Sequence, residues 1–309
     1  VLRVRAGGAL GEAPFVPYYS DTPEDVALWL EQRKSKGAWM VEEGAPRTVR
    51  LAADLLLHDL EAQKRGVPVW KLLSMRDPGG ARACRSIGIP EDLDDYSEQI
   101  RRLSKSFRIL KLKLGSGNVD FDEAVVATAR EAAPEGVLFA DVNGGWSVRE
   151  AAVLLPRLEK YGLVFVEQPV SHAGGHEAWR ELAAALPKRG VPLYADESVQ
   201  GESDVRGLAG WIEGINVKLF KTSGYAGALA CVSAARTLGL RVMLGCMIES
   251  SIGVTAAAHL AASFDWVDLD GHLYLLEDDF SGLTFDENGC LHLPSRPGLG
   301  LCGRKEASF

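Results

Sequence analysis

Between Cys84 and Asp270 the apolar residues fall into two alternating patterns. Short apolar runs at Cys84–Ile89, Ile109–Leu114, Val137–Asp141, Leu163–Glu167, Pro192–Asp196, Gly214–Lys218, Arg241–Gly245 and Trp266–Asp270 have the length and make-up of strands. Between them, apolar positions recur at helical spacing in segments such as Asp120–Ala133, Val148–Tyr161, His176–Leu186, Tyr225–Leu238 and Gly253–Ala262. Eight strands with helical crossovers predict an α/β fold with the rhythm of a (β/α) barrel. A doubly wound open sheet shares that rhythm, so the choice rests on where the polar residues fall.

The flanks read differently. Leu2–Val4 is short and extended, and Gly- and Pro-rich residues lead to Tyr18-Tyr19. A helix should start at Asp21–Glu24, where Thr22 can cap and Pro23 suits the first helical position, and Gly37 should end it. A second helix runs from about Pro46 to Lys64, with Val49, Ala52, Ala53, Leu56 and Leu60 on one face, and stops at Gly66. After Asp270 the alternation ends. Phe280–Leu293 reads as a hairpin around Asp286–Gly289, and the tail Pro294–Gly300 is expected to return to the first unit. The expected division is 1–80, 81–278 and 279–309.

Composition narrows the function classes. The chain has 309 residues, 47% apolar and 25% charged, as in ordinary globular proteins. A net charge of −8 argues against a nucleic-acid partner. No apolar stretch reaches the roughly 18–20 residues that cross a bilayer, so no membrane role is expected. Arginines interrupt the first residues, which do not read as a signal peptide. Cys84, Cys231, Cys246, Cys290 and Cys302 form no CxxC pair and read as free thiols in a reducing, cytoplasmic setting. Oligomeric state stays open, a homo-oligomer included.

Three predicted strands end in an acid: Asp141 in FADVNGGWS, Glu167 in FVEQP and Asp196 in YADES. In a parallel barrel all strand C-termini share one face, so these carboxylates would converge and repel unless a hard cation sits among them. Oxygen-only ligation favours Mg²⁺, with Mn²⁺ as the alternative. Strand alternation puts Lys111 and Lys113 on one face of an otherwise apolar run. Lys218 ends the sixth run, roughly opposite the second in an eight-strand ring. Near other cations such amines can have depressed pKa values and serve as bases. Two opposed lysines beside a metal suggest a proton taken from one face of a carbon and delivered to the other, through an enediolate.

The ordered set KLKLG, DVNGGW, VEQP, ADES and INVKLFKTSG resembles the enolase superfamily, in its muconate-lactonizing-enzyme subgroup, from roughly Leu10 to Gly300. The resemblance implies a (β/α)7β TIM-like barrel with an α+β capping domain made from both chain ends. It implies Asp141, Glu167 and Asp196 as Mg²⁺ ligands and Lys113 and Lys218 as the acid/base pair. Lys111 would neutralise the substrate carboxylate and lower the pKa of Lys113. The seventh run, VMLGCMIES, lacks the histidine base of the mandelate-racemase subgroup. Family members also carry a strand and a lid loop ahead of the segment matching Val1. Neither is read in the residues from Val1 on, which is expected to bear on side-chain selectivity and not on chemistry.

The eighth run ends Asp268-Leu269-Asp270, two acids on one face at the barrel mouth, suited to an ammonium group. This DxD, with CMIESSIGVTAAAHLA upstream, is similar to that of dipeptide epimerases, of which L-Ala-D/L-Glu epimerases are the familiar kind. The resemblance implies a dipeptide substrate epimerised at its C-terminal α-carbon, with its amine at Asp268 and Asp270 and Ser86 nearby. o-Succinylbenzoate synthase, a cycloisomerase and N-acylamino acid racemase share the metal and lysines, but their substrates gain nothing from two carboxylates there. A Schiff-base barrel lyase on Lys113 or Lys218, or an inactive ligand-binding scaffold, are readings of other classes.

Overall fold

The computed structural model of the chain describes residues 1–19, 21–33, 44–186, 188 and 190–303. The expected helix end at Gly37 lies outside them. A hairpin of β1 (Leu2–Ala6) and β2 (Ala9–Ala13) turns on Gly7 and Gly8, whose φ values of 56° and 86° suit glycine. Helix α1 (Pro23–Glu31) is capped by Thr22, which accepts from Asp25 N at 3.1 Å. Helix α2 (Arg47–Arg65) closes on Gly66 in the left-handed conformation. Every residue of β2 is buried, and a Cβ on Gly11 would lie 1.9 Å from Ala52 O of α2. Only a bare backbone lets strand and helix approach this closely.

Eight parallel strands follow: β3 (Cys84–Ile87), β4 (Ile109–Lys113), β5 (Val137–Asp141), β6 (Val166–Glu167), β7 (Leu193–Ala195), β8 (Gly214–Lys218), β9 (Arg241–Gly245) and β10 (Trp266–Val267). Each bonds to the next in chain order, and a parallel bridge from Ala83 to Val267 joins the last to the first. That bridge decides for a closed barrel over an open sheet. Besides the expected crossovers, Leu93–Leu103 and Glu202–Leu208 are helical. Several strands are shorter than expected: β7 omits Pro192, which has no N–H to donate, and Asp196, Asp268 and Asp270 lie beyond the strand ends.

The period of two layers the barrel interior. Cys84, Ile109, Phe139, Phe165, Tyr194 and Met243 make an apolar floor. Phe165 stacks on Phe139 and Tyr194 with centroid separations of 4.3 and 3.9 Å. Gly214 leaves room for this stack, since a Cβ there would lie 2.4 Å from the Tyr194 ring. Two residues further along come Ser86, Lys111, Asp141, Glu167, Asp196 and Asn216 at the mouth.

Both flanks meet on α2. Asp59 accepts from Leu10 N and from Leu299 N, each at 2.8 Å, and Val69 N donates to Gly298 O. Buried Glu12 of β2 accepts from Arg3 at 2.7 Å and from Ser250 Oγ at 2.5 Å, linking the hairpin to the loop after β9. None of the cysteines is paired, and no helix among the described residues is long and apolar enough to cross a membrane.

Candidate active site

Asp141 ends β5, Glu167 ends β6 and Asp196 follows β7, so neighbouring strands deliver three acids to one point. Each offers an oxygen within 4.8 Å of the others, and all three are fully buried. Such crowding needs compensation. Lys111 Nζ supplies part of it, lying 2.9 Å from Asp141, 2.8 Å from Glu167 and 2.8 Å from Asp268. Lys113 Nζ lies 2.7 Å from Asp141 Oδ2, and Lys218 Nζ 2.7 Å from Asp196 Oδ2. The amines from β4 and β8, four strands apart, therefore bracket the triad through its two outer members.

Burial opposes ionisation of Asp141, but Lys111 and Lys113 outweigh it and hold its carboxyl well below the usual range. The same contest at Asp196 is won by Lys218 and Lys221. Glu167 goes the other way: burial, joined by the Asp141 charge, pushes it up to about 8. Lys218 departs from the expected depressed amine. Burial works to lower it, yet Asp196 more than compensates and lifts it well above an ordinary lysine. Lys221, expected to be supportive, is wholly buried, with Nζ 2.5 Å from Asp196 Oδ1 and 2.9 Å from Asn216 O. Burial lowers its pKa despite Asp196.

The triad fits a hard divalent cation. Its donors are all carboxylate oxygens, and Glu167 Oε2 has no hydrogen-bond partner although Lys111 Nζ is near in charge contact. Asn216 Nδ2 donates to the other Glu167 oxygen at 2.6 Å and leaves Oε2 for the cluster. A cation at Asp141 and Asp196 would compete with Lys113 and Lys218 for the same oxygens.

The DxD pair lies beside the triad. Asp268 Oδ2 accepts from Lys111, and its Oδ1 from Ser86 Oγ and Cys84 Sγ, both at 3.2 Å. Asp270 Oδ2 accepts from Ser86 N at 2.7 Å and from the Tyr274 hydroxyl at 2.9 Å, with Arg85 Nη1 at 3.4 Å. The Arg85 guanidinium lies over the Tyr274 ring, 4.4 Å from its centroid. Burial and the adjacent Asp268 charge raise Asp270 to about 6.

Sequence reasoning did not find Arg85, Tyr274, Asn143 or Asn216. Tyr274 lies in the 3₁₀ turn Gly271–Tyr274, and Arg85 points away from the interior residues of β3, so neither follows from alternation. Asn216, two residues before Lys218, shares its face and could have been read from period two. Of the residues left open earlier, Tyr19 packs edge-on against Phe220 and Tyr18 reaches Met247 Sδ at 3.8 Å. His58 packs against Tyr225, and buried His259 accepts from Trp70 N at 3.2 Å. Glu249 accepts from Met247 N at 3.1 Å, and burial pushes it up to about 7.

A closed parallel barrel with three acids gathered at its C-terminal mouth, flanked by lysines, defines a β/α-barrel enzyme with a carboxylate metal site. The family model described as "Enolase C-terminal domain-like" matches residues 95–307. The chain is 36% identical over 254 residues to the hydrophobic dipeptide epimerase of Roseobacter litoralis, covering 81% of this chain and 72% of that one. It is 32% identical to the L-Ala-D/L-Glu epimerase of Bacteroides thetaiotaomicron, over 94% and 77% of the two chains. A dipeptide epimerase from Methylococcus capsulatus, solved with Mg and L-Arg-D-Lys, superposes with a TM-score of 0.82 at 29% identity, covering 97% and 90%. The chain belongs to the enolase superfamily, and is an isomerase of the racemase and epimerase kind.

Proposed function

We propose that this enzyme epimerises a dipeptide at the α-carbon of its C-terminal residue by Mg²⁺-dependent, two-base 1,1-proton transfer. The observation that carries the reading is the bracket: Lys113 on Asp141 and Lys218 on Asp196, one amine on each flank of the acid triad. Asp141, Glu167 and Asp196 would hold Mg²⁺, or Mn²⁺ on the same oxygens, and the ion would supply positive charge beside the substrate carboxylate. One lysine, as a neutral amine, takes the α-proton from one face. The other, as an ammonium, returns a proton to the opposite face, so that the C–H bond broken is replaced by one of inverted configuration. Lys111 adds a cation beside the carboxylate, and Asp268 and Asp270 receive the substrate ammonium near Ser86. The names of the relatives support the dipeptide.

Apolar side chains stand exposed around the same mouth: Ile89 after β3, Ile248 after β9, Leu273 and Tyr274 after β10, and Tyr18 from the hairpin side. Ile248 is 68% exposed. This surface favours apolar substrate side chains, and Arg85 beside Asp270 opposes a cationic one at the first residue. Asp270 separates the reading from o-succinylbenzoate synthase, cycloisomerase and N-acylamino acid racemase, whose substrates bring no free ammonium.

The test is deuterium incorporation from D₂O with Mg²⁺ across a panel of L,L-dipeptides, read by mass spectrometry. Apolar dipeptides should gain one deuterium at the C-terminal α-carbon, with EDTA abolishing the exchange. Exchange of succinyl amino acids in place of dipeptides would overturn the assignment.

A further inference from the structure

The two candidate bases are held in different ways. Lys218 is buried, and among the described residues its Nζ hydrogen-bonds only to Asp196 Oδ2. The Lys113 side chain is 33% exposed and has two partners, Asp141 Oδ2 and Asn143 Oδ1, each at 2.7 Å. Asn143 is fixed in turn. Its backbone N donates to Asp141 Oδ1 at 3.0 Å, its Nδ2 donates to Glu197 Oε1 at 2.9 Å, and its φ is 48°. That left-handed conformation is uncommon for a side-chain-bearing residue, and asparagine is among those that tolerate it.

The polarity of this chain of contacts has one consistent direction. An ionised carboxylate only accepts and an ammonium only donates, whereas a primary amide has one end of each kind. Glu197 therefore draws the NH₂ end of Asn143 towards itself and leaves the oxygen facing Lys113. Reversed, the amide would set its hydrogens against the lysine's. Glu197 is 7% exposed, and its Oε2 has no hydrogen-bond partner, so the chain of hydrogen bonds stops there; Glu197 acts on Lys218 through charge alone. No comparable side-chain amide contacts Lys218 among the described residues.

Building on the two-base reading above, we infer that Glu197 and Asn143 are a positioning pair dedicated to Lys113. The Asn143 oxygen engages one hydrogen of the Lys113 amine and so aims its lone pair, independently of the Asp141 oxygen that a metal would draw on. The two half-reactions are aimed by different means: a relay through a neutral amide on one face, and burial against Asp196 on the other.

The experiment compares Glu197→Ala and Glu197→Gln with the unaltered enzyme, all loaded with Mg²⁺. α-Hydrogen exchange in D₂O is followed separately for the two epimers of one dipeptide. Lys113→Ala identifies the epimer whose hydrogen faces Lys113, as the one whose exchange it removes. In Glu197→Ala that epimer should exchange about 10–100-fold more slowly, the scale of an aiming error near 1 Å, while the other stays within about threefold. Glu197→Gln should recover most of the loss, because its amide oxygen can still accept from Asn143. Equal slowing of both epimers, no slowing of either, or a Gln variant as slow as Ala would overturn the inference. A crystal structure of Glu197→Ala supplies a readout free of activity. The Lys113–Asn143 contact should open there; its persistence at 2.7 Å would also overturn the inference. Absence of exchange with every dipeptide in the unaltered enzyme would count against the epimerase reading alone, and this structural readout would still decide the relay.

Discussion

At the floor of the barrel Phe139, Phe165 and Tyr194 stack ring on ring, while two residues further along β5, β6 and past β7 Asp141, Glu167 and Asp196 crowd within 4.8 Å. One layer removes apolar area from water, at roughly 1.5–3 kcal/mol for each large side chain. The other takes charges out of water, at several kcal/mol each before any pairing. Lys111, Lys113, Lys218 and Lys221 offset that penalty without removing it, as the rise of Glu167 to about 8 records. Stability is thus concentrated at one end of the barrel and chemistry at the other, with the strand period of two separating them.

The separation can be broken by substitution. The largest effect should come from Lys113→Ala, whose amine is part-exposed, with net epimerisation falling by about 10³-fold or more and the melting temperature little changed. Chiral chromatography of the dipeptide product and a thermal melt check the two halves; a large drop in melting temperature would show that the lysine serves the fold. Next, Phe165→Ala at the floor should cost about 3–5 kcal/mol in urea unfolding, with the turnover number of the folded fraction kept. A turnover loss matching the stability loss would merge the two layers. The smallest effect belongs to Asp270→Asn, which should raise the dipeptide KM by about 10–100-fold, the worth of one hydrogen bond to a charged group.

Asp270 also sets a pH dependence. Burial and the Asp268 charge raise its pKa to about 6, so below that pH it is neutral and, in the role proposed for it, would hold an ammonium weakly. KM should fall as pH rises through about 6, and Asp270→Asn should flatten that slope. Stability runs the opposite way. The folded-state value lies above that of an unfolded aspartate, so ionising Asp270 costs stability between about pH 4 and 6 as pH rises.

Much of the mouth was legible because strand geometry is periodic. Alternation alone puts Lys111 and Lys113 on one face, and acids ending consecutive parallel strands meet at one mouth. What escaped lay where no period operates. Strand β2, Ala-Leu-Gly-Glu-Ala, has neither β-branched residues nor alternation, because α2 and the barrel bury it on both faces. Asn143 sits at positive φ just past β5, and its partner Glu197 is 54 residues away, so their pairing follows from barrel closure and not from local sequence. Arg85 meets Asp270 and Tyr274 for the same reason: β3 and β10 become neighbours only when the ring closes.

Asp59 carries a consequence for how the molecule is made. Its two oxygens hold Leu10 N and Leu299 N, and the second of these partners is translated 240 residues after it. At ribosomal speeds of about 5–20 residues per second, that interval is roughly 12–48 s. Throughout it the nascent hairpin and helix must wait with one seam unsealed. The seam between the hairpin and the segment at Leu299 therefore closes only after the whole barrel between them has been made.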